Sequence, residues 1–294
     1  MRERVCTFGS HGGLAGVLCD PERASGGRPA VLLFNVGLDH HVGPHRLNVD
    51  LTRHLADRGF TSLRFDLSGL GDSEARRDQR ADTERVVLDV VEAMDFLAAS
   101  RAVERFVIVA VCSGVDPAHA VSVQDQRVAG AVLIDGYAYV TRGWRARGRA
   151  ERIRRLMAPA SYPRWLRRHL WPWLGRRGRP EVGAAPIFDR TFPPLGQFRD
   201  DLATMLARGT RLLFLYTRHA YFFNHRGQFA AMIGSTRIPE GIEVEWRPQS
   251  DHVFTPVAER TWAVRRIVDW VTIHFPVVAP AMSAGATTSP QIRA

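Results

Sequence analysis

The stretch "FVIVAVCSGVDPA", residues 106 to 118, sets an apolar run of strand type against a Cys-Ser-Gly corner, with Pro117 where a helix would begin. A nucleophile held at such a strand-to-helix corner needs small residues two positions on either side, so that strand and helix can approach closely. Ala110 and Gly114 occupy those positions around Cys112. Centring the corner on Ser113 would put Val111 and Val115 there, and β-branched side chains fit a crowded corner poorly. Cys112 is therefore the candidate nucleophile. The Ser113 backbone N–H becomes an oxyanion donor at the helix start, where the helix dipole also favours a thiolate. The competing reading is a buried free cysteine that merely ends a strand. A matching base is expected late in the chain, and "PQSDHVFTP" (248–256) supplies His252 on a loop between a strand and the last helix.

A cysteine nucleophile narrows the chemistry. The tetrahedral intermediate expels a thiolate more readily than an alkoxide, so attack on an ordinary alkyl ester tends to reverse, whereas a thioester or activated ester escapes this difficulty. The expected reaction is acyl transfer to water, an alcohol or an amine, with His252 taking the thiol proton and then activating the acceptor.

Positioning such residues requires a sheet with its loops gathered at one end. Strand-length apolar runs recur at 30–37, 61–69, 106–112, 128–135, 211–217 and 242–249, after a hairpin around Gly12 and Gly13. Between them, 46–59, 83–100 and 260–275 carry apolar residues at helical spacing. This alternation predicts an α/β chain with a mostly parallel central sheet flanked by helices. It breaks down from about Tyr139 into Arg, Trp and Pro, including Trp144, Trp165, Trp171 and Trp173. An excursion of that length is too long for a bare loop and predicts a helical lid insertion. The expected organisation is core over 1–138, lid over 139–204, core over 205–276 and a disordered Ala/Ser/Thr/Pro tail over 277–294.

The 294 residues, 45% of them hydrophobic, suffice for a large core. Three cysteines without a CxxC pair exclude a disulfide framework and a zinc-finger site and suit a reducing cytoplasm. No signal-peptide core or run of about 18 apolar residues occurs, so no integral membrane segment is expected. All 40 basic residues are Arg, which fits a coding bias. Within 141–180 there are 13 Arg against the single acid Glu151, a local charge of +12 in a chain of net charge +10. No nucleic-acid recognition motif accompanies that charge. "DHHVGPHR" (39–46) brings His40 and His41 together, but adjacent His without a carboxylate partner signal a metal only weakly. They are expected to line the mouth of the site, with no metal and no cofactor.

These stretches together resemble the α/β-hydrolase superfamily over about 210 residues, everything outside the lid and tail. "NVG" follows the early central strand, "DLSGLGDS" (66–73) is similar to the family's D-x-x-G-x-G-x-S loop, and the Cys elbow is similar to that of dienelactone hydrolases. The combination with "DGYAY" and "DHVFTP" looks most like bacterial hydrolases associated with exosortase and exopolysaccharide loci. The resemblance implies an α/β-hydrolase fold, with the Val36 backbone N–H as second oxyanion donor beside Ser113.

Two departures stand out. Ala110 replaces the usual first glycine of the elbow, and "TRHAYFFNHRG" (217–227), where the family carries its acid, has no Asp or Glu. Asp135, at the end of the preceding strand, is the nearest substitute, because adjacent strand tips share one end of a parallel sheet. Its other reading is a cap for the turn at Gly136. Asp251 is too close to His252 in sequence to bond its ring well. The expected substrate is an acyl-CoA or an acylated, acidic acyl carrier protein, oriented by lid arginines such as Arg145 and Arg149. The alternative is a hydrolase-fold protein that has lost catalysis and serves as a binding or scaffold module.

Overall fold

The computed structural model describes residues 1–10, 12–23, 26–157, 190, 192–220 and 222–277. The chain opens with the hairpin β1 (Arg2–Phe8) and β2 (Leu14–Asp20). It continues through β3 (Ala30–Phe34), α1 (Leu47–Asp57), β4 (Ser62–Phe65), α2 (Asp82–Arg101), β5 (Phe106–Val111), α3 (Val115–Gln124) and β6 (Val128–Ile134). Then follow α4 (Arg142–Met157), α5 (Leu195–Ala207), β7 (Arg211–Thr217), α6 (Gln228–Ile233), β8 (Ile242–Arg247) and α7 (Val257–His274). β3, β5 and β6 are buried at every position, as strands covered on both faces must be, which is why their sequences are continuous apolar runs.

The eight strands form one sheet in the order β1-β2-β4-β3-β5-β6-β7-β8. β1 pairs antiparallel with β2, and β2 with β4; every other neighbouring pair is parallel. α1 and α7 bury Leu47, Leu51, Leu55, Val264, Ile267 and Trp270 against one face. α2, α3, α5 and α6 cover the other. This is the mostly parallel, helix-flanked sheet that the alternating pattern predicted, and it agrees with the fold that the resemblance to α/β-hydrolases implied.

Five of the six expected strands end earlier than the apolar runs, at Phe34, Phe65, Val111, Ile134 and Arg247. For two of them the reason is local: the next residues, Cys112 (φ 52°) and Asp135 (φ 49°), leave extended geometry. Both candidate side chains thus stand at the carboxyl tips of adjacent parallel strands.

Of the expected lid, α4 is described and residues 158–189 lie outside the described residues, Trp165, Trp171 and Trp173 among them. The expected tail lies outside them as well, apart from Val277. α5 runs across the boundary expected between lid and core at 204/205 and buries Phe198, Leu202 and Met205. The Phe198 ring sits 6.3 Å from that of Phe214 on β7 and 6.5 Å from that of Phe229 on α6. Among the described residues no helix is long and apolar enough to cross a membrane.

Phe198→Ala removes a fully buried ring from this contact and is expected to cost roughly 3–5 kcal/mol in a denaturant titration. Ile273→Ala, on the exposed side of α7, should stay within about 0.5 kcal/mol.

Candidate active site

Cys112 leaves β5 in the left-handed region, opens a short 3-10 turn over Cys112–Gly114 and leads into α3. For a residue with a Cβ this backbone is strained, and such strain persists only where the surroundings enforce it. Gly114 supplies the required closeness: a Cβ there would lie 3.2 Å from the Phe34 ring and 3.5 Å from the Asn35 carbonyl. The Ser113 hydroxyl accepts a hydrogen bond from the Gly37 amide at 2.9 Å, tying the elbow to the loop after β3. The Ser113 amide donates toward the Cys112 sulfur. Val36 and Cys112 each pack against the same apolar cluster.

His252 lies on the loop after β8, and its Nδ1 is 2.7 Å from Asp135 Oδ2. A carboxylate only accepts, so Nδ1 carries the proton and the ring's other nitrogen is left for the Cys112 thiol, with which His252 also hydrogen-bonds. Asp135 is itself fixed from β7: Oδ1 accepts from the Thr217 amide at 2.7 Å and Oδ2 from the Thr217 hydroxyl at 2.6 Å. The Asp135 side chain therefore points away from the turn at Gly136 and toward the imidazole. Asp251 caps its own turn, accepting from the Thr255 amide at 2.8 Å.

The electrostatics follow from these bonds. The hydrogen bond to Asp135, then that to Cys112, pushes His252 up to about 10 against the effect of burial. Burial would push the Cys112 thiol up. The hydrogen bond and charge of His252, the charge of Arg190 and the Ser113 amide outweigh it and hold the thiol below its ordinary range. Both shifts favour the charged forms of the two partners of one hydrogen-bonded pair.

Arg190 was not legible as a site residue, because it is one of 40 Arg and its partner Asp116 lies 74 residues away. It forms a bidentate pair with Asp116 on the first turn of α3, at 3.0 and 2.6 Å, and donates to the Asp135 carbonyl at 3.5 Å. Its guanidinium also lies 5.8 Å from the Tyr137 ring centre and 5.2 Å from that of Phe192. The other expected residues are placed differently. Arg145 and Arg149 are exposed on α4. His41 is buried and turned to Asp66 at 2.7 Å, while His40 pairs with Asp72 at 3.0 Å. The carboxylate partners missing from the sequence around these histidines are supplied by the loop after β4.

No protein-family model matches the chain, and no curated protein matches it by sequence. Solved structures do. An esterase from Pyrococcus furiosus superposes with a TM-score of 0.59 at 13% identity, covering 93% of this chain and 91% of that one. The esterase domain of a Rhodothermus marinus protein gives 0.52 at 17% identity, over 92% and 97%. An alpha-beta serine hydrolase homologue from Coxiella burnetii gives 0.54 at 12% identity, over 91% and 96%. At these identities the likeness establishes the α/β-hydrolase fold.

Iodoacetamide should alkylate Cys112 with a pH midpoint below that of an ordinary thiol. In His252→Ala burial acts with less opposition, and the midpoint should move upward. Cys6 and Cys19, the latter pushed up to about 11 by burial, are internal controls for peptide mapping. A His252→Ala profile identical to that of the wild type would contradict the pairing.

Proposed function

We propose that the protein is an acyl hydrolase or acyltransferase acting on a thioester or activated ester through Cys112, His252 and Asp135. The observation that carries this reading is the arrangement at the strand tips: a strained cysteine on an elbow, hydrogen-bonded to a histidine whose other nitrogen is held by a buried carboxylate. Esterase names among the structural neighbours support the general class of reaction.

The Cys112 thiolate attacks the acyl carbonyl carbon, and the oxygen takes the negative charge between the backbone amides of Ser113 and Val36. Collapse breaks the bond to the leaving thiolate, which takes the proton from His252 and departs as a thiol. His252, now neutral, accepts a proton from water or an acceptor alcohol or amine as that attacks the acyl-Cys112 thioester. The second collapse releases the acid or transferred acyl product and regenerates the ion pair. Asp135 keeps the imidazole in the correct tautomer and stabilises its charged form. Arg142, Arg145 and Arg149 on α4 offer bidentate donors for the phosphates of an acyl-CoA or the acidic surface of an acyl carrier protein. A free thiol nucleophile also calls for a reducing compartment such as the cytoplasm.

Incubation with an activated acyl thioester, followed by intact mass measurement, should give an acyl adduct on the wild type and none on Cys112→Ala. His252→Ala should slow acylation by about 10²–10⁴. An adduct that survives Cys112→Ala and disappears in Ser113→Ala would transfer the nucleophile's role to the serine. Absence of both adduct and turnover with every activated donor would leave a non-catalytic binding protein.

A further inference from the structure

Beside the active-site loops lies a second cluster of chemistry-bearing side chains that the acyl-transfer reading does not use. β3 and β4 are parallel neighbours, so the loops that follow them leave the sheet at the same end. The first brings His40 and His41, the second Asp66 and Asp72. One ligand atom from each of the four residues lies within 4.8 Å of every other.

The separations suit a small cation. His41 Nδ1 is 2.7 Å from Asp66 Oδ2, His40 Nε2 is 3.5 Å from that same oxygen, and His40 Nε2 is 3.0 Å from Asp72 Oδ2. A tetrahedral zinc with nitrogen and oxygen ligands at about 2.0–2.1 Å spaces neighbouring ligand atoms about 3.3 Å apart. The observed distances bracket that value, and the two imidazoles already lie with ring centres 3.9 Å apart, tilted by 39°.

Two independent features hold the arrangement. Asp66 is fully buried, and its carboxylate is held in place by the His41 amide at 2.6 Å, the His41 ring at 2.7 Å and the Asp72 amide at 3.1 Å. At Gly71 (φ 50°) a Cβ would fall 2.2 Å from Asp66 Oδ2, so only glycine lets this loop close over the carboxylate. With both imidazoles neutral, the four side chains carry two negative charges, the balance that a divalent cation cancels.

We propose that His40, His41, Asp66 and Asp72 form a binding site for a divalent transition-metal cation of the zinc class. Two imidazole nitrogens favour such an ion over calcium or magnesium, which prefer oxygen ligands throughout. The ion would clamp the β3 loop, which carries Val36 and Gly37, to the β4 loop. The proposal stands independently of the acyl-transfer reading, because no step of that chemistry involves these four residues.

The test is zinc alone added to the chelator-stripped full chain, followed by equilibrium dialysis and calorimetry. Wild type and Cys112→Ala should each bind one zinc per chain. His40→Ala and Asp72→Asn, both at partly exposed positions, should bind at least tenfold more weakly while keeping the wild-type circular dichroism spectrum. Cobalt in place of zinc should show d–d bands without thiolate-to-metal charge transfer. Failure of the wild type to bind zinc overturns the proposal, as does equal affinity in wild type, His40→Ala and Asp72→Asn. Binding lost in Cys112→Ala and kept in His40→Ala also overturns it, by placing the metal on the Cys112–His252 pair.

Discussion

Asp135 is a buried carboxylate at the tip of a central strand, and an unpaired charge in that position would be too costly to keep. The surrounding structure answers that cost with three close partners on two other elements: the Thr217 amide, the Thr217 hydroxyl and the His252 ring. Each partner is thereby fixed in turn. Thr217 must end β7 in register with β6, and the loop after β8 must return far enough to lay His252 over the sheet. The His252 ring orientation then determines how Cys112 is held.

The elbow works in the same manner from the other side. A cysteine with positive φ is unfavourable in isolation, and it is maintained by the packing of Gly114 on Phe34 and by the Gly37 amide bonded to Ser113. The strain and the charge are thus secured by different parts of the sheet, β3 for one and β7 for the other, and they meet between β5 and β6. Arg190 joins the two halves, because it bonds both Asp116, just after the elbow, and the Asp135 carbonyl.

The same end of the sheet repeats the pairing of imidazole with buried carboxylate at His41 and Asp66. The two pairs differ in what completes them. At Asp135 the third member is the Cys112 thiol. At Asp66 a second imidazole and a second carboxylate stand there instead, a set of nitrogen and oxygen donors without a thiol.

Sequence alone carried the fold class, because continuous apolar strands alternating with amphipathic helices allow few arrangements other than a covered, mostly parallel sheet. It also placed the strand-to-helix corner at Cys112, where the backbone turns to positive φ, since the flanking Ala110 and Gly114 report a local steric requirement that spacing can express. His252 was legible from its place before the last helix. The role of Asp135 was not, because a carboxylate after a strand reads equally as a turn cap, and the choice depends on which way a left-handed residue aims its side chain. Thr217 and Arg190 were invisible for a related reason: their partners lie 82 and 74 residues away, and no local pattern marks them. The carboxylates facing His40 and His41 were likewise hidden until β3 and β4 were set side by side. Local sterics are written in neighbouring residues, whereas the pairing of buried charges is decided only when the sheet brings distant loops to one edge.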